Sequence, residues 1–570
     1  MNIKHRDIAS RLFTKPAYTI PLKLDQASES RTHRVLPTKQ QAMVLQIYQC
    51  GLAAFAIFLL RRLYTFSKLS TRPPNFPPGP ATLPFIGNLH QIPTSRPQFK
   101  FSDYARQFGA IVGLKLGCQS MIVLNTWQAV RDLVEQKGAI YSSRPHIPIV
   151  DIVTPGNLNP ALSVYGDTWR RQRKMLVELL GGEKTDGMKP VQDAESTQML
   201  YDIMNDPAHF ENHVLRSFGA VILATVYGQR GKTLEKGGKL DTFFTIEEDW
   251  SEAVAPAKYP PTNSFPFLHH VPEWMTPWKG WKSRALRIKE TQNGLYKGLL
   301  RETKERLKEG KGTKSFIAQC LEVQDKEWYD DTYLAYFGGV LLEGGAETSA
   351  STTMTFIMTM AGNPDVLKKA QEEVDQVIGR SRLPGKDDTG SLPFIRACML
   401  EINRWRPVTV LALPHSSIAD DTYGSYSIPK DSDVIINAWQ INHEPSFYDN
   451  PDTFNPERYL DNEYGAQSSI DPATYERRRI NYTFGAGRRV CPGQRFAENT
   501  MIMHFAKLVW AFDIKAMGKL PLDSLDGWTD GIMTRPKDFK NVKMALRDEG
   551  RRPVIESAWL EADEFLREFE

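Results

Sequence analysis

The residues best suited to chemistry lie near the C-terminal end, in the run Phe484-Gly-Ala-Gly487-Arg-Arg489-Val-Cys491-Pro-Gly493. A cysteine ligates a transition metal as its thiolate, and that charge must be stabilised. Pro492, directly after Cys491, suits the first position of a helix, which would set the sulfur at the positive end of the helix dipole and keep it ionised. Behind it Ala497, Met501, Phe505 and Leu508 recur at three- and four-residue spacing, which predicts that helix with one buried face. Gly487 and Gly493 would let backbone approach a flat macrocycle where any side chain collides, and Arg489 is placed to pair with a carboxylate of such a group. A buried structural cysteine beside a Gly-Pro turn is the plainer alternative, and the length of the string weighs against it.

A second set lies in a long helical stretch from Asp331 to Ala361, closed by Gly362-Asn363-Pro364, a strong stop signal. Gly338, Gly339, Gly344 and Gly345 each cost about 1 kcal/mol against alanine in a helix interior, so they need a compensating reason. Close approach of backbone to a flat cofactor would supply one. Glu347 and Thr348 sit among them, an acid and an alcohol able to move protons; taken alone, the pattern also fits tight helix packing with Glu347 solvated or salt-bridged. Glu401 and Arg404, three apart, can pair on one helix face, a contact worth only ~0.2–0.5 kcal/mol at a surface. Trp169 and Arg173 share a helix face, and His415 follows Pro414.

Together these residues resemble the cytochrome P450 family. Its haem-binding signature of Phe, two residues, Gly, one, Arg, one, Cys, one, Gly is met at Phe484, Gly487, Arg489, Cys491 and Gly493. The resemblance implies haem b with Cys491 as the axial iron ligand, a thiolate that favours O–O cleavage of bound O2. Gly344-Gly345-Ala-Glu347-Thr348 matches the family's oxygen-binding groove, which implies that Thr348 holds the critical hydrogen bond while Glu347 feeds protons. Pro456-Glu-Arg458 matches the segment that supplies a second arginine, implying a buried Glu401–Arg404–Arg458 network that locks the cysteine loop, a structural role. Trp169 and Arg173 match the Trp, three residues, Arg pattern that holds haem propionates, and His415 stands where members place a propionate-binding Arg or His. Electrons would come from NADPH through NADPH-cytochrome P450 reductase, with cytochrome b5 as a second donor.

These residues need a body to position them. The 570 residues are 41% hydrophobic and 11% aromatic, enough to enclose a macrocycle and a substrate. Short apolar runs at 111–116 and 121–124 predict a hairpin, while later segments have helical periodicity. The expected fold is therefore mainly α with a small β portion, one haem-binding domain over residues 81–570. Lysine and arginine total 71 against 67 acids, a balance that excludes a global field for nucleic acid. The five cysteines at 50, 118, 320, 398 and 491 are scattered without close pairs, which excludes a disulfide framework and a zinc site. Asn481-Tyr-Thr483 makes a formal glycosylation acceptor but abuts the cysteine loop, so it is discounted.

Residues 43–60, MVLQIYQCGLAAFAIFLL, approach the ~20 residues that a bilayer core demands of a helix. Arg61 and Arg62 follow as a basic stop, and Pro73-Pro-Asn-Phe-Pro77-Pro-Gly-Pro80 completes a stiff hinge over residues 61–80. The resemblance agrees with a single-pass anchor in the endoplasmic reticulum membrane and a cytosolic body. Residues 1–42 carry basic residues from Lys4 to Lys39, which would compete with Arg61 and Arg62 for the same side of the membrane. They are expected to come from an upstream start, with Met43 as the natural first residue, and a targeting presequence is the alternative.

By resemblance, the substrate pocket takes its walls from residues 144–164, 244–267, 337–348, 408–413 and 532–534. Their apolar composition predicts a small to medium apolar substrate. Gly344-Gly345 and the aromatic stretch from Phe265 to Trp281 resemble fungal monooxygenases of secondary metabolism similar to O-methylsterigmatocystin oxidoreductase, implying an aromatic polyketide-type substrate; a terpenoid, fatty acid or xenobiotic are the alternatives. A haem-thiolate isomerase or dehydratase that needs no O2 is a second reading, against which Glu347-Thr348 argues. A haem sensor or electron carrier is a third, for which the glycine-bearing helix would be superfluous.

Overall fold

The computed structural model describes residues 39–570, with side chains from residue 43 onward. The expectation about residues 1–42 falls outside the described residues, apart from the helical backbone of 39–42. The chain divides into two units, residues 1–63 and 64–570.

The helix that begins in the first unit runs from Lys39 to Leu69. Within it Met43–Leu69 is long and apolar enough to cross a membrane, and none of its apolar window is buried in protein. Arg61 and Arg62 lie inside the helix rather than ending it. Charge leaves the i to i−4 hydrogen bonds intact, whereas Pro73 and Pro74 lack the amide that continuation requires.

The second unit is mainly helical, with eight short strands among the described residues. Strands β1 (Ile111–Leu116) and β2 (Gln119–Leu124) form an antiparallel hairpin with Gly113 opposite Ile122. Then come β3 (His415–Ser416), β4 (Asp421–Tyr423), β5 (Tyr426–Ile428) and β6 (Asp433–Ile436). The main sheet has the order β1-β2-β6-β3, with β2 and β6 parallel. Its Ile122, Leu124, Val434 and Ile436 are buried against Trp127, Val130 and Tyr141, as expected where sheet faces pack on helices. Strands β7 (Phe512–Ala516) and β8 (Val542–Leu546) form a separate antiparallel pair.

A 32-residue helix, Asp331–Gly362, runs through the core. Asp330 caps it by accepting the Tyr333 amide at 2.8 Å, and Pro364 excludes further extension. It packs on the helices Phe210–Tyr227, Trp281–Lys308 and Gln494–Ala511, and Phe356 stacks on Phe505 with centroids 3.9 Å apart. Three of its glycines are required by neighbouring side chains. A Cβ at Gly338 would lie 2.4 Å from the Tyr227 hydroxyl, one at Gly339 2.4 Å from the Tyr296 ring, and one at Gly345 2.5 Å from Ile222. These three admit neighbouring side chains; only Gly344 opens onto free space. The C-terminal helix Arg552–Leu566 clasps the helix Lys189–Asn205, with Trp559 stacked on Tyr201 at 4.0 Å.

Candidate active site

The loop 484–493 and the Asp331–Gly362 helix border one cavity of about 330 Å³, lined by Cys491 and Phe484 from the loop and by Phe337, Val340, Gly344 and Thr348 from the helix. The loop is tight. Gly485 and Gly487 take left-handed backbone, with φ of 72° and 61°, and the Cys491 amide donates to the Phe484 carbonyl at 2.8 Å. A Cβ at Gly487 would stand 2.4 Å from the Val134 carbonyl oxygen. Backbone crowding against Val134 therefore requires a glycine here. Gly487→Ala is expected to destabilise by at least about 1–2 kcal/mol from the left-handed conformation alone, with the Val134 clash added. Urea unfolding checks this; an unchanged midpoint would contradict it.

Pro492 does not open the following helix. Gly493 is the cap and Gln494 the first helical residue, so Cys491 lies two positions outside. Burial pushes its thiol up, against the opposing pull of the Gly493 amide and Arg173. A coordinated cation would keep the sulfur ionised, because metal binding deprotonates a thiol outright.

Beside Cys491 the cavity gathers Arg144, Trp169, Arg173, His415 and Arg489. Arg489 donates to the carbonyls of Ser142, Pro160 and Ser163 and lies over the Trp169 ring at 4.2 Å. Arg173 donates to the Val490 carbonyl at 2.7 Å. Arg144, which sequence reasoning placed only in a pocket wall, donates to the carbonyls of Ala161, Leu413 and Pro414. Among the described residues none of these three guanidinium groups is paired with a carboxylate. Burial, then Arg144 and Arg173, pull Arg489 down to about 8, and burial pulls Arg144 to about 9. His415 donates Nδ1–H to the Tyr141 carbonyl at 2.8 Å, and burial and then Arg144 hold it neutral, near 3. Buried cations without counter-charge are costly. A group carrying two carboxylates would supply the missing charge, and a soft thiolate stands on the same cavity; the residues fit haem.

Thr348 lines the cavity, and its hydroxyl donates to the Gly344 carbonyl at 2.9 Å. Glu347 does not line it. One Glu347 oxygen lies 3.9 Å from Arg535 Nη1 and the other is buried with no protein donor. Burial pushes this carboxyl up, against Arg535.

Glu401, Arg404 and Arg458 lie away from the cavity lining. Arg404 grips both Glu401 oxygens at 2.7 Å, Arg458 approaches one at 3.1 Å, and the Asn455 amide donates to the carboxylate at 2.8 Å. Residues 244–267 and 532–534 are absent from the cavity lining, which takes Ile222, Thr225 and Val226 instead. The reason is packing: Trp250, Tyr259 and Ile532 are drawn into a cluster with Ile149, Val153 and Ile288. Asn481 is buried and accepts the Thr483 amide, which suits no glycan.

The family model described as Cytochrome P450 matches residues 77–542. The chain is 35% identical to Cytochrome P450 monooxygenase fogE of Aspergillus ruber, over 90% of this chain and 95% of that protein. It is 34% identical to Cytochrome P450 monooxygenase atE of Aspergillus terreus, over 88% and 93%. With Cytochrome P450 monooxygenase patH of Penicillium expansum it shares 35% identity, over 90% and 97%.

Proposed function

Because the chain belongs to the cytochrome P450 family and is a haem monooxygenase, we propose that it oxidises a small to medium apolar molecule of the aromatic polyketide type, anchored in the endoplasmic reticulum membrane. NADPH-cytochrome P450 reductase supplies the electrons, with cytochrome b5 as a second donor. The observation that carries the reading is one apolar cavity lined by a cysteine, by three guanidinium groups without a carboxylate partner, two of them buried, and by an alcohol whose neighbour in sequence is an acid.

In this reading Cys491 would ligate the haem iron through its thiolate, while Arg144, Arg173, Arg489, Trp169 and His415 would hold the propionates. When bound, the haem supplies O2 binding and reduction, and its thiolate ligand favours O–O cleavage. The rest falls to the chain. Apolar side chains such as Phe337, Val340, Leu341 and Val408 exclude water and seat an apolar substrate. Thr348, its proton directed at the Gly344 carbonyl, presents its oxygen lone pairs as acceptors. Glu347, whose carboxyl burial pushes up against the pull of Arg535, is the acid that delivers protons.

Addition of aromatic polyketide candidates to the ferric protein is expected to give a type I spectral shift, and turnover with reductase, NADPH and O2 a product carrying one oxygen atom from O2. Product formation without O2 would overturn the monooxygenase reading. Thr348→Ala is expected to lower product formed per NADPH by roughly 100-fold, the low end of the ~10²–10⁴-fold range for a lost proton-transfer group, with hydrogen peroxide making up the difference. Quantifying peroxide against NADPH checks this; unchanged coupling would contradict it.

A further inference from the structure

A second ionisable cluster lies behind the acid–alcohol pair. Glu343 precedes Glu347 by one helical turn, so the two share a face. The Tyr296 hydroxyl donates to Glu343 Oε1 at 2.6 Å and Gln292 Nε2 reaches the same oxygen at 3.3 Å. Asn159 Nδ2 approaches Oε2 at 3.4 Å. From the helix Lys239–Ala253, Glu247 accepts the Ser251 hydroxyl at 3.2 Å on one oxygen. Its other oxygen is buried with no protein donor, as is one oxygen of Glu347. The fully buried Tyr227 hydroxyl, set against Gly338, also has no partner.

Glu247 is near enough to Glu343 and Glu347 to feel both charges, Glu248 acts on Glu347 and Tyr336 feels Glu343, and Arg535 stands at the Glu347 end. Glu247, Glu343 and Glu347 cannot all be charged. Burial pushes Glu343 up to about 7, against the Tyr296 and Asn159 hydrogen bonds. Burial, then Glu343 and Glu347, push Glu247 well above the carboxylate range. Burial, then the Glu343 charge, push the Tyr227 phenol up.

We propose that Glu343, with Glu247 and Tyr296, is a buried proton store that reloads Glu347 between proton deliveries. This rests on the reading of Glu347 and Thr348 as the delivering pair. The Glu343 carboxyl passes its proton to the Glu347 carboxylate and becomes a carboxylate held by the Tyr296, Gln292 and Asn159 donors. Glu247 returns a proton to Glu343, and Glu247 regains one from solvent. Each cycle moves one proton inward and transfers no electrons. Glu343, Glu247 and Tyr296 are positioning residues, because they act through Glu347.

The test is infrared difference spectroscopy of the full-length, haem-loaded, CO-bound ferrous protein across neutral pH, in H2O and D2O. The wild type is expected to show a protonated-carboxyl band that shifts in D2O and fades as pH rises through about 7. Glu343→Gln is expected to abolish that titration and Glu343→Asp to restore it, both keeping the thiolate-type CO absorbance. With reductase, NADPH and O2 alone, Glu343→Gln and Glu247→Gln are each expected to change the solvent isotope effect on NADPH oxidation about twofold or more, while Glu343→Asp stays close to wild type. A normal CO absorbance with no titrating carboxyl, or with one unaffected by Glu343→Gln, would overturn the store alone. A wild type lacking the thiolate-type absorbance would overturn the functional reading and the store with it.

Discussion

Glu401→Ala is expected to yield almost no folded, haem-loaded protein. The carboxylate neutralises Arg404 through two parallel hydrogen bonds and reaches Arg458, and both Glu401 and Arg404 are fully buried. Arg404 also grips the carbonyls of Asn442, Pro451 and Thr453, so one ion pair fastens the 442–458 segment to the helix Pro393–Trp405. Removing one partner of such a pair strands a buried charge and costs about 3–5 kcal/mol. Total stability is typically only about 5–15 kcal/mol. Glu401→Gln keeps the volume and loses the charge, which separates packing from electrostatics; it is expected to be destabilised by a similar amount. Soluble yield and urea unfolding of both variants check this, and a wild-type midpoint in Glu401→Ala would contradict it.

Cys491→Ser is expected to abolish monooxygenase turnover while leaving a folded protein that still takes up haem. The substitution changes one atom in a loop whose shape is set by Gly485, Gly487 and the Cys491 amide bond to Phe484. The guanidinium cluster of Arg144, Arg173 and Arg489 is untouched, so its demand for two carboxylates persists. What disappears is the thiolate, the ligand that favours O–O cleavage. Haem content by pyridine haemochrome, set against product formation, is the check; turnover within tenfold of wild type would contradict it.

Local pattern was readable where it is governed by local chemistry. The long helix is expected from Asp331 to Ala361 and found from Asp331 to Gly362, because Asp330 caps it and Pro364 ends it. The 111–124 hairpin follows from two short apolar runs with Gly117 in left-handed backbone between them. Arg144 was hidden because its three acceptors, Ala161, Leu413 and Pro414, are remote in sequence and its significance comes from guanidinium neighbours equally remote. The same holds for the glycines: Gly338 and Gly339 answer to Tyr227 and Tyr296, and Gly487 to Val134. A glycine's spacing says that room is needed; only the fold says for what. The 244–267 wall failed for a related reason, since Trp250 and Tyr259 are apolar enough for a pocket and equally suited to the cluster that claimed them.

The coordination by Cys491 is tested most directly by reducing the haem-loaded full-length protein under carbon monoxide and recording the difference spectrum. A Soret maximum at the red-shifted position of a thiolate-ligated ferrous–CO haem is the expected result, lost in Cys491→Ser. A maximum at the position of an imidazole-ligated haem in properly folded wild type, or the same spectrum in wild type and Cys491→Ser, would contradict the account.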